Sequence, residues 1–104
     1  MANKEYIERI QQVIFHLHKA DSTWVESVPV REVFRGRVIW EGPVEVFTLL
    51  NHPKAKRCFA WSHRAGKDDT DERFVAVLEI PPIDSPESAV KVAIAHEVRE
   101  SQKK

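Results

Sequence analysis

The chain is poor in the residues that announce specialised chemistry. One cysteine among 104 residues, Cys58, excludes an intrachain disulfide framework and a multi-thiolate zinc site. Three glycines are too few for a glycine-rich phosphate loop. No apolar run approaches the ~20 residues needed to cross a bilayer. Met1 to Glu5 carry charge and no apolar h-region, so neither a secretory signal nor a membrane role is expected, and the cytoplasm is the expected compartment. Net charge is absent too. Sixteen basic residues balance sixteen acidic ones, which removes the compositional argument for a polyanionic partner.

What is present is an ordinary globular mixture. Apolar residues make up 42% and charged residues 31%, enough for one buried core and against disorder. The length fits a single domain, 1–104, with 101–104 expected to fray. The zero charge is segregated: residues 1–50 carry −1, residues 51–67 carry +5 and residues 68–104 carry −4.

Tyr6, Ile7, Ile10, Val13, Ile14 and Leu17 repeat at helical spacing and predict an N-terminal helix. Asn3 is its N-cap, and Glu5 suits the positive end of its dipole. Asp21-Ser22-Thr23 is expected to be a loop. Residues 24–37 are open between an extended segment through Val28-Pro29-Val30 and a short helix begun by Pro29 and closed by Gly36. From Val38 the pattern is strand-like, with Val44, Val46 and Thr48 alternating with Glu45, Phe47 and Leu49. Asn51 to Lys54 form a turn, Lys56 to His63 a second strand, Gly66 to Glu72 a polar loop, and Arg73 to Ile80 a third strand stopped by Pro81-Pro82. Ser85 caps a second helix with Pro86 in its first turn. The expected fold is α+β: a two-layer sandwich of helix, three-stranded antiparallel meander and helix (αβββα), both helices on one sheet face.

A simple hairpin at 51–54 sets Phe47 opposite Cys58, Val46 opposite Phe59 and Val44 opposite Trp61. Pairing Arg57 with Glu79 sets Phe59 beside Val77 and Trp61 beside Val75. One face then carries Phe47, Leu49, Cys58, Ala60, Phe74, Ala76, Leu78 and Ile80, and is assigned to the helices. The other carries Val44, Val46, Leu50, Phe59, Trp61, Val75 and Val77, with Arg57, Thr48, His63, Arg73 and Glu79. Left open, an apolar, aromatic face with arginines at its margin is a partner surface. Its candidate residues are Val44, Val46, Phe59, Trp61, Val75, Val77, Arg57, His63 and Arg73, and its expected occupant is a second copy, giving a homodimer, or a small protein partner. The alternative is that residues 24–40, with Trp24, Phe34 and Trp40, fold over this face.

A second function class rests on Lys54, Lys56, Arg57, Arg64 and Lys67, interleaved with Phe59 and Trp61. The run Arg57-Cys58-Phe59-Ala60-Trp61 is similar to the aromatic strand motif of RRM domains, with Cys58 in place of a glycine. The helix–three strands–helix order resembles the double-stranded RNA-binding domain over most of the chain, with acidic Asp84 to Glu87 where that family has a basic stretch. Both resemblances imply RNA binding through 51–67. A third class is a ligand-binding protein or enzyme with a shallow pocket between sheet and helices, which has no motif behind it; Glu41 and Glu45 would form an acid/base pair only in a cleft that the sequence does not show. No catalytic constellation stands out, so a non-enzymatic module is favoured. No metal or cofactor is expected: His16 and His18 point apart, His52 and His63 lie at opposite ends of a strand, and Asp68 to Glu72 lack a calcium-loop pattern. Cys58 is expected to be structural.

Overall fold

A computed structural model describes the backbone of residues 3–65 and 71–102, with side-chain surroundings for 3–63 and 72–95. Helix α1 spans Lys4–His18, β1 Asp21–Phe34, β2 Arg37–Leu50, β3 Arg57–Ala65, β4 Asp71–Leu78 and helix α2 Pro86–Gln102. The strands form one antiparallel sheet in the order β1-β2-β3-β4. The class is α+β, and the expected three-stranded meander has a fourth strand in front of it. Residues 66–70, which hold most of the expected polar loop and Lys67, and the side chain of Arg64 lie outside the described residues.

Helix α1 begins as its sequence dictates: the Asn3 side chain accepts from the Glu5 backbone N–H at 2.7 Å. Ile10 and Ile14 are buried, whereas Leu17, at the end of the expected stripe, is exposed. The helix also serves both edge strands. Gln11 donates to the Ser22 carbonyl of β1 and His18 donates to the Ala76 carbonyl of β4, each at 2.9 Å.

Residues 21–34 are extended, so the expected loop at 21–23 is instead the start of β1. Arg35 (φ 52°) and Gly36 (φ 76°) join β1 to β2 by a two-residue turn. Positive φ at both central positions gives the twist a tight hairpin needs, and glycine reaches it without strain. Val25 is a bulge residue in β1, because the register shifts between Trp24/Phe47 and Glu26/Val46. Ile39 plays the same part in β2, between the pairs Glu32/Trp40 and Val33/Val38. Each bulge reverses the side-chain parity beyond it.

The register expected for the later strands is present: Phe47 pairs with Cys58, Val46 with Phe59, Phe59 with Val77 and Trp61 with Val75. Arg57 and Glu79 form an ion pair, and the Glu79 N–H donates to the Arg57 carbonyl. The expected pairing of Val44 with Trp61 is absent, because β2 pairs with β3 only from Glu45 to Thr48. Pro43 stands next, opposite Pro29 across the hairpin. Neither proline has an N–H to give a ladder. Beyond them the β1–β2 hairpin leaves β3 as a separate two-stranded arm.

The expectation that both helices share one face is corrected. Ile10 and Ile14 of α1 cover Phe47, Leu49, Cys58 and Ala60. Ala89 and Val90 of α2 are buried with Val44, Val46, Phe59 and Trp61 on the opposite face. Helix α2 caps as expected, with the Ser85 hydroxyl accepting from the Ser88 N–H at 3.2 Å. Its alanines 89 and 93 let it approach closely, so the largely apolar second face is a second core. Leaving Phe59 and Trp61 in water would forfeit roughly 2–3 kcal/mol for each ring. The arm contributes as well: Val28 and Val30 join this core, and the Trp40 and Trp61 ring centroids are 5.9 Å apart.

Candidate functional site

The open sheet face expected to bind a partner is not open. Val44, Val46, Phe59 and Trp61 are at most 3% exposed, and Val75 and Val77 are partly buried in the same cluster. Arg57 is engaged by Glu79 and stacks over Phe59, His63 is half-buried, and Arg73 is exposed. Of residues 24–40, Trp40 packs on this core, Trp24 turns to the other face and Phe34 stays exposed.

The basic set is also divided. Lys54, Lys56 and Arg57 lie at one end of β3, and Arg64 lies near the other, about 23 Å away at ~3.3 Å per residue. Lys67 falls outside the described residues.

The structure brings other residues together. Where the arm parts from β3, on the α1 side, a groove of about 470 Å³ opens between the helix N-terminus and the strands. We call this place the fork. Three carboxylates line it, from Glu5, Glu45 and Glu72, against one cation, Arg9. Glu45 is the last β2 residue paired to β3 and is only 1% exposed. A buried carboxylate must be hydrogen-bonded to remain tolerable. Here Oε1 accepts from the indole N–H of Trp24 at 2.9 Å and from the hydroxyl of Ser27.

That arrangement depends on the bulge. Trp24 and Ser27 are three residues apart and would face opposite sides of a regular strand. The extra residue Val25 places both on the α1 face, opposite Phe47 and Glu45. No hydrogen bond from the described residues reaches Oε2, although Glu45 lines the groove.

A second set of polar groups completes the wall. The Ser62 N–H donates to the Tyr6 phenol oxygen at 3.0 Å. The Ser62 hydroxyl donates to Glu72 Oε2 at 3.1 Å, so its 3.0 Å contact with the phenol takes the Tyr6 proton. Arg9 Nη1 holds the other Glu72 oxygen at 3.3 Å. Burial raises the Tyr6 phenol above its ordinary value of 10.0, the Ser62 hydrogen bonds oppose this, and the charges of Glu45 and Glu72 add to the rise. Tyr6 therefore stays a neutral donor at physiological pH, and the chain from Tyr6 through Ser62 to Glu72 has a fixed direction.

Glu41, the other carboxylate singled out in the sequence, is exposed on the arm and pairs across it with Arg31. Among the described residues no three metal-ligating side chains stand together. Cys58 is fully buried in the α1-side core, where burial pushes its thiol up to about 12. No described helix is long and apolar enough to cross a membrane. No family model, curated protein or solved structure matches this chain.

Proposed function

We propose that the chain is a small recognition domain whose fork binds a cationic, donor-bearing group of the guanidinium or ammonium type. The observation that carries this reading is Glu45: a carboxylate 1% exposed, held through one oxygen by Trp24 and Ser27, in the wall of an acidic groove. Three carboxylates against one arginine leave the groove a formal −2. A flat, multi-donor cation can meet the second Glu45 oxygen and a neighbouring carboxylate at once, each contact charge-assisted, as a neutral ligand cannot. Fixing Glu45 in advance also reduces the ordering cost of binding.

The test is a titration of methylguanidine and methylammonium followed by amide chemical shifts. The expected result is salt-dependent binding with shifts at Tyr6, Ser27, Glu45 and Ser62. Glu45→Gln keeps an acceptor for Trp24 and Ser27 but removes the charge, and should weaken binding by about tenfold or more. Equal binding by Glu45→Gln, or shifts spread over unrelated surface, would overturn the proposal.

A further inference from the structure

The fork has a complement on the same molecule. The far end of the arm carries Arg35 and Arg37 at its turn, and Val33, Phe34, Val38 and Ile39 there are each 43–58% exposed. Phe34 pairs with Arg37 and Val33 with Val38, neighbouring pairs whose side chains point to opposite faces. An arm end that is apolar on both faces is poorly served by water on either.

We infer that the fork's cationic ligand is the Arg35-Gly36-Arg37 tip of a second copy, in a two-fold dimer of antiparallel arms. This rests on the reading of the fork given above. A two-fold axis at the middle of the arm carries each tip to the partner's fork, because tip and fork are equidistant from that axis. The midpoint between Gly36 and the paired residues Ser27 and Glu45 falls at Arg31 and Glu41. These two are exposed, paired with one another, and on the same face as Ser27 and Glu45. Crossing there sets Arg31 against its own counterpart and Glu41 against its own, and gathers two arginines and two glutamates into one neutral quartet in which opposite charges meet on the diagonals. Val33 and Val38 share that face and would be covered by the crossing. The charges match as well: two arginines at the tip meet a groove of formal −2.

Sedimentation across a wide concentration range tests the inference. Wild-type protein should dimerise, with an affinity that falls as salt rises. Arg31→Glu and Glu41→Arg should each weaken the dimer by about tenfold or more, and the double variant Arg31→Glu/Glu41→Arg should restore it. Both positions are exposed, so folding is not at stake. Arg35→Glu/Arg37→Glu should give a monomer whose fork still binds methylguanidine. A wild type that remains monomeric throughout, or a dimer indifferent to these changes, would overturn the dimer. Methylguanidine binding in the tip variant then separates the two readings. If binding persists without a dimer, only the dimer fails, and if it is absent there as well, the fork reading fails with it.

Discussion

Phe59 discriminates most sharply between a sheet covered on both faces and one left open. It is fully buried, in the cluster that α2 closes through Ala89 and Val90. Truncating a buried phenylalanine to alanine costs about 3–5 kcal/mol, through lost transfer energy and the cavity left behind. On an open face the same change stays within about 0.5 kcal/mol. For a domain of this size, whose whole stability is roughly 5–15 kcal/mol, the difference is large. In urea, at a slope of about 1.5 kcal/mol per molar, Phe59→Ala should lower the unfolding midpoint by roughly 2–3 M. Where that leaves too little folded protein, Phe59→Leu reports the same site at about 1–1.5 kcal/mol. Combining Phe59→Leu with Val90→Ala should give a non-additive cost of at least about 0.5 kcal/mol, because both side chains share one cluster. A midpoint unchanged by Phe59→Ala, or strict additivity with Val90→Ala, would refute the placement of α2 over this face.

Other expectations are more local. Cys58 should resist alkylation at pH 8 in the folded protein and react once it is unfolded, since its thiol is pushed from 9.0 up to about 12. The folded state holds that proton more tightly, so the associated stability is intact below pH 9 and is lost as pH rises toward 12, by about 4 kcal/mol. Alkaline unfolding of Cys58→Ala, measured beside wild type, should lack that component of the slope. Gly36→Ala should cost about 1 kcal/mol although nothing lies within 4 Å of the added carbon, because φ is +76°. Gly42→Ala should act differently: the added carbon meets the Trp40 ring at 3.2 Å, so the indole must move and its fluorescence should shift.

Much of the local organisation is legible along the chain. The stripe from Tyr6 to Ile14 specifies a helix, Asn3 and Ser85 specify where the two helices begin, and the alternation from Val44 to Leu49 specifies which side chains share a face. Strand β1 is less legible because Val25 shifts the two-residue period by one and Pro29 interrupts it, so no single alternation runs from Asp21 to Phe34. The same shift hides the site. Trp24, Ser27 and Glu45 become neighbours only when one extra residue re-phases a strand against its partner, and Tyr6, Ser62 and Glu72 arrive from three further elements.

The sequence by itself determines the two helices and the strands after the first, with their apolar sides, because periodicity and capping are local properties of the backbone. It does not determine which sheet face each helix covers. A helix stripe demands an apolar surface without naming one, and here both faces of the sheet offer one. That choice is made by the long-range packing of α2 onto Phe59 and Trp61. The fork likewise exists only in three dimensions, where Pro29 and Pro43 stand opposite each other and the arm leaves the sheet beside a buried carboxylate.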